Sequence, residues 1–143
     1  MQTGKPKILI VEDDHFWQDA YRSDLGNAVE ISSAYSVSQA RELFLQHAAD
    51  IKLIVMDACV PGNTPTTLPL VREIRAQFTG PMIGASLEWC VELRAAGCDY
   101  SEDNKGDVPK TALRLLAEMS APRVNRPEAV RGAALPGGPA PAR

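Results

Sequence analysis

Short apolar runs alternate with stretches of helical spacing along most of this chain. Lys7–Val11 (KILIV) is a continuous apolar run, suited to a strand buried on both faces. Helical spacing follows over 15–25, carried by Phe16, Ala20, Tyr21 and Leu25, until Gly26 and Asn27 stop it. Residues 28–34 (AVEISSA) predict a strand nearer an edge, because polar residues interrupt it. Ser36 or Ser38 caps the next helix, which places Ala40, Leu43, Phe44 and His47 or Ala48 on one side.

Residues 51–56 form the most hydrophobic run, and Asp57 ends it. A loop rich in Pro, Thr and Gly leads to Thr67 and Pro69, which suit the cap and first turn of a helix over LPLVREIRAQF. A short apolar strand is predicted over 81–85 and a short helix over 87–96, closed by Gly97. Residues 98–104 (CDYSEDN) fall where a fifth strand belongs, although they are polar. Asp107, Val108 and Pro109 open a last helix carrying Ala112, Leu113, Leu116 and Ala117. After Pro122 the chain is Pro, Gly, Ala and Arg without periodicity, which reads as a disordered tail. The expected division is a domain over 1–120 and a tail over 121–143.

Strand and helix thus alternate five times, which implies an α/β fold with a parallel sheet covered on both faces. The expected architecture is a flavodoxin-like (βα)5 doubly wound sheet of strand order 2-1-3-4-5. In such sheets the ligand site lies beyond the carboxyl ends of the strands, at the reversal between the first and third. Those two strands end in Glu12 and Asp13 and in Asp57, so three carboxylates are expected to converge.

Composition narrows the classes. The chain has 143 residues, 45% hydrophobic and 23% charged, as in an ordinary one-domain globular protein. The net charge of −3 gives no support to nucleic-acid binding by bulk electrostatics. Beyond Ser120 the charges are Arg123, Arg126, Arg131 and Arg143 against Glu128, so the remainder is the more acidic part. No segment has the length of a membrane span, and the apolar run after Lys5 and Lys7 is too short for a signal-peptide core. Cys59, Cys90 and Cys98 lack CxxC spacing and read as reduced thiols of a cytoplasmic protein. A redox role for Cys59, beside Asp57, is the alternative for that thiol.

Three converging carboxylates repel one another, and a hard divalent cation removes the conflict. Mg²⁺ characteristically takes one or two carboxylates, a carbonyl, waters and a phosphate oxygen. Asp57 is then placed as a nucleophile that forms an acyl phosphate. Ser86, at the end of the fourth strand, supplies a hydroxyl to the phosphoryl group, and Lys105, after the fifth, supplies countercharge. Asp14 is better suited to capping the first helix, and His15 is a poor Mg²⁺ ligand.

Taken in order, these residues resemble the receiver domain of two-component response regulators, over about Lys5 to Met119. ILIVEDD is similar to that family's first strand and acidic pair, and MDACVP to its phospho-acceptor motif, an aspartate with a proline four positions on. PMIGAS resembles its fourth strand with the terminal Ser or Thr, AAGCDY its turn before the fifth strand, and AYSVSQA its second helix entrance. The resemblance implies that Glu12, Asp13 and Asp57 bind Mg²⁺ together with the backbone carbonyl of Cys59. It implies that Asp57 accepts a phosphoryl group from a histidine kinase or phosphotransfer protein, that Ser86 turns toward it and that Lys105 pairs with it. Such a protein signals through protein contacts and is not an enzyme beyond slow autodephosphorylation. No output domain is expected after the tail.

The chain also departs from that pattern. The family usually has Lys-Pro where this sequence has Lys105 and Gly106, and an aromatic residue where Glu102 stands. The fifth strand is polar, the fourth helix short, and Pro65 occupies a usual Gly position. The acceptor half therefore looks intact and the reporting half remodelled. A degenerate receiver serving as a phosphorylation-independent interaction module is the alternative reading. On the short helix, Trp89, Leu93 and Ala96 share one face, and Leu87, Cys90, Val91 and Arg94 another. One of these stripes is a partner surface, unless Trp89 fills core space left by the shortened helix. A haloacid-dehalogenase-type phosphatase is disfavoured because Cys59 stands where that family needs a second Asp, and no glycine motif for nucleotides occurs.

Overall fold

A computed structural model describes residues 4–61 and 64–121. Five strands, β1 (Lys7–Val11), β2 (Glu30–Ala34), β3 (Ile51–Asp57), β4 (Met82–Ala85) and β5 (Tyr100–Glu102), form one sheet of order β2-β1-β3-β4-β5. Every pairing is parallel. Five helices, α1 (His15–Leu25), α2 (Val37–His47), α3 (Leu68–Arg75), α4 (Cys90–Ala96) and α5 (Val108–Ser120), connect and flank it. The expected doubly wound architecture is thus observed. The tail expected over 121–143 lies, apart from Ala121, outside the described residues.

The period-two alternation of each strand divides the core between two faces. Leu9, Val11, Ile54, Met56 and Met82 pack on one side with Phe44, Leu70, Val71, Ile74 and Leu93. Ile8, Ile10, Leu53, Val55 and Ile83 pack on the other with Tyr21, Leu25, Val108, Ala112 and Leu115. Helices α2, α3 and α4 therefore cover one face, and α1 and α5 the other.

Local chemistry sets most helix starts. Asp14 caps α1 by accepting from the Phe16 N–H at 2.9 Å. Of the two serines considered for α2, Ser36 is the cap: its hydroxyl accepts from the Gln39 N–H at 3.1 Å. Gln39 reaches back to the Tyr35 N–H at 2.8 Å, a reciprocal arrangement close to a capping box.

Several boundaries differ from the sequence expectation. β2 begins at Glu30, because the N–H groups of Ala28 and Val29 turn back to the Leu25 carbonyl. α3 ends at Arg75, and Thr67 does not cap it through its side chain. Instead the Thr67 hydroxyl donates to the carbonyls of Asp57 and Ala58 at 2.7 and 3.1 Å. α4 begins at Cys90 and not at 87, because the preceding N–H groups of Glu88 and Trp89 point at the Ser86 hydroxyl.

Two glycines let this short helix seat closely. A Cβ on Gly84 would stand 2.9 Å from the Leu93 side chain, so the bare backbone of β4 is what admits α4. Gly97 ends α4 with φ of +145°, a conformation side chains disfavour. On α4 it is the Trp89 stripe that faces inward: Leu93 and Ala96 are buried and Trp89 packs against the core. Leu87 and Val91 are the exposed apolar residues there, at 80% and 77%.

Candidate functional site

Register carries the acidic residues to one end of the sheet. Val11 pairs with Met56 and Asp57 with Ala85, so Glu12, Asp57 and Ser86 all stand at the carboxyl ends of neighbouring strands. One carboxylate oxygen from each of Glu12, Asp13 and Asp57 lies within 4.8 Å of the others. The convergence expected from strand order is therefore present.

Glu12 is almost wholly buried, at 1% exposure, and Asp57 is buried at 6%. The Glu12 carboxylate accepts from the Asp14 N–H at 3.0 Å and from the Lys105 ammonium at 2.7 Å. Lys105 Nζ also lies 3.5 Å from Asp57 Oδ2. The Lys105–Gly106 peptide is trans, the cis bond among the described residues being Val60–Pro61. Lys105 opens a 3-10 turn whose Gly106 N–H is held by the Asn104 side chain at 2.9 Å. The lysine reaches both acids from that turn.

Burial and the neighbouring Asp57 charge push Glu12 up to about 7, despite the hydrogen bonds from Lys105 and the Asp14 N–H. Burial also raises Asp57, opposed by the Lys105 charge and by hydrogen bonds from Glu12, Lys105 and the Cys59 N–H. For Lys105, burial works downward, but the Glu12 hydrogen bond and the two carboxylate charges outweigh it and hold the ammonium charged. One cation thus compensates carboxylates that are too close and too dry to ionise together.

The donor set fits a hard cation: carboxylate oxygens, incompletely neutralised, converging at the sheet end. Cys59 lies on the loop beyond Asp57, and its backbone N–H donates to the Asp57 carboxylate. Burial and the nearby Asp57 charge raise the Cys59 thiol, which disfavours the thiolate a redox role would need.

Ser86 is buried, and its oxygen accepts from the Trp89 N–H at 3.1 Å and more weakly from Glu88 at 3.4 Å. Its lone pairs are committed to the start of α4, leaving the O–H as its capacity to donate. Glu102, at the position where an aromatic residue was the comparison, accepts from the Thr111 hydroxyl at 2.6 Å and is tied to α5. His15 stacks on Tyr35, with ring centroids 4.5 Å apart, and does not join the acidic cluster.

Two residues that serve this site were not singled out from the sequence. Thr67, which the sequence places as a helix cap, holds the carbonyls at the end of β3. Gln18 carries one local signal, a polar residue in line with Tyr21 and Leu25 on the inward face of α1.

No protein-family model matches this chain, and a search of curated proteins finds no match. Solved structures do match. A two-component response regulator from Clostridium difficile is 18% identical with a TM-score of 0.68, covering 82% of this chain and 100% of that one. Chemotaxis protein CheY4 of Vibrio cholerae is 23% identical with a TM-score of 0.63, over 78% of this chain and 99% of that one. The receiver domain of Francisella response regulator 1452 is 22% identical with a TM-score of 0.63, over 81% of this chain and 100% of that one. The described part of this chain has the fold of a response-regulator receiver domain.

Proposed function

We propose that this protein is a phospho-acceptor of two-component signalling, taking a phosphoryl group on Asp57 from the phosphohistidine of a histidine kinase or phosphotransfer protein. The observation that carries the reading is Lys105, which lies against both Glu12 and Asp57 although Gly106 follows it in place of a proline. A buried carboxylate with a cation beside it is arranged for attack and for stabilising the charge that follows.

In the proposed step an Asp57 carboxylate oxygen attacks phosphorus. The phosphorus–nitrogen bond breaks, its electron pair stays on the departing imidazole, and an aspartyl phosphate forms. Glu12, Asp13, Asp57 and the Cys59 carbonyl would hold Mg²⁺, which when bound neutralises charge on the phosphoryl oxygens. Lys105 leaves Glu12 for the new phosphoryl group, and Ser86 donates its hydroxyl hydrogen to it. Thr67 keeps the end of β3 fixed while this occurs. The domain over 1–120 would signal through protein contacts in the cytoplasm, with catalysis limited to slow loss of its own phosphoryl group.

The alternative, an interaction module that is never phosphorylated, is favoured by one observation: Glu102 is engaged by Thr111 where the family places a mobile aromatic side chain. Intact mass after incubation with acetyl phosphate and Mg²⁺ separates the two. A single phosphoryl adduct, lost in Asp57→Asn and without Mg²⁺, is expected for the acceptor. No adduct under any condition leaves the interaction module.

A further inference from the structure

Among the described residues, Gln18 Oε1 and Tyr21 Oη are the buried side-chain atoms without a hydrogen-bond partner. For Gln18 the rest of the amide explains why. Its Nε2 lies 3.1 Å from the Ile10 carbonyl, 3.0 Å from that of Glu12 and 3.2 Å from that of Ala34. With two hydrogens for three acceptors, the nitrogen is fully spent. Turning the amide over would point its oxygen at three carbonyl oxygens, so repulsion fixes the orientation and leaves Oε1 buried without a partner.

The consequence falls on Glu12. Its N–H donates to the Ala34 carbonyl at 2.9 Å, and its own carbonyl is held by Gln18. Its carboxylate is held by the Asp14 N–H and by Lys105. Backbone and side chain of this one residue are therefore both clamped, and Asp13 is attached directly to it. We infer that Gln18 is a positioning residue, which fixes the Glu12–Asp13 pair against Asp57 and so makes the site prefer Mg²⁺ over the larger Ca²⁺.

This rests on the reading of the three carboxylates as a Mg²⁺ site. The physical ground is that Mg²⁺ demands short, near-octahedral oxygen contacts, whereas Ca²⁺ tolerates longer and irregular ones. A rigid acid pair favours the first, and a loosened one penalises it selectively. A side chain that only joined α1 to the sheet would lower stability without changing the balance between the ions.

The test is calorimetric titration of the full chain with MgCl₂ and with CaCl₂, comparing wild type with Gln18→Met, which keeps length and loses the donors. The variant is expected to bind Mg²⁺ about tenfold more weakly or worse, as for other outer-shell changes. Ca²⁺ binding is expected to move by no more than about threefold, given its tolerance of geometry. If Gln18→Met does not fold, Gln18→Asn, which draws the amide back by one carbon, is expected to lower the Mg²⁺-to-Ca²⁺ ratio in the same sense. Equal weakening of both ions, or no change in either, overturns the inference while leaving the Mg²⁺ site standing. Wild-type protein that binds neither ion overturns the site reading and this inference with it.

Discussion

Lys105 donates a 2.7 Å hydrogen bond to Glu12, a residue 93 positions earlier in the chain. The contact joins the loop after β5 to the end of β1, and Asp57 lies within 3.5 Å of the same ammonium. A single side chain thereby offsets part of the charge of the two buried acids, Glu12 and Asp57.

Removing that charge should separate acceptance from folding. Lys105→Met is expected to slow adduct formation from acetyl phosphate by about 10²-fold, the usual effect of losing one preorganised donor at a developing charge. Initial rates of adduct formation by intact mass are the check. A rate within a factor of a few of wild type would show that Lys105 serves Glu12 alone.

The raised Glu12 predicts the pH dependence of the metal-free protein. Its carboxyl binds a proton more tightly when folded, at about 7, than at the unfolded value of 4.5. The stabilisation is therefore complete below 4.5 and is lost as pH rises through about 7. Melting temperatures of wild type and Glu12→Gln should accordingly converge differently at pH 5 and pH 8, with wild type gaining relative to the variant at the lower pH. Mg²⁺ competes with that proton, so its affinity should rise by up to about tenfold per pH unit below neutrality and level off above. A wild-type minus variant difference that is flat with pH would contradict the assignment.

Thr67 offers a stability test that does not touch a carboxylate. Its hydroxyl donates to the carbonyls of Asp57 and Ala58, and the side chain is fully buried. Thr67→Val preserves shape and removes the hydroxyl donor from both carbonyls, leaving Ala58 only the Thr67 backbone N–H at 3.1 Å, which should cost about 1–3 kcal/mol in urea unfolding. Phosphoryl uptake should fall as well, because the end of β3 is no longer held. Unchanged stability would mean the carbonyls find another donor.

The cysteines should divide by burial. Cys98 is buried and its thiol is pushed up to about 12, chiefly by burial and then by the Asp99 charge. Cys59 and Cys90 are half-buried. Iodoacetamide at pH 8 should modify Cys98 far more slowly than Cys90 in the folded protein, and at a comparable rate only after denaturation. Peptide mapping of a time course distinguishes this from uniform labelling.

How much of this was legible beforehand follows from how local each determinant is. The run KILIV, the cap residues Asp14 and Ser36, and the break at Gly26 act within a few positions, and their elements formed where expected. Where a boundary moved, a distant group was responsible or a competing acceptor intervened. α4 starts late because Ser86 takes the N–H groups that would have begun it, and Thr67 deserts its helix for the carbonyls of β3. The polar fifth strand survives as three residues because β4 supplies the pairing that its composition does not favour.

The alternation of apolar runs and helical stretches determined the parallel sheet, and the flavodoxin-like order expected for it brought Glu12, Asp13 and Asp57 together, because that order sets their strand ends side by side. Only the tertiary structure decided that Lys105 reaches the acids without a proline after it, that Glu102 is held by Thr111, and that Gln18 grips the Glu12 backbone. Each of these joins groups on separate elements across distances of 2.6 to 3.0 Å. Hydrogen bonds depend on tenths of an ångström and on direction, and no pattern of residue types along a chain carries that information.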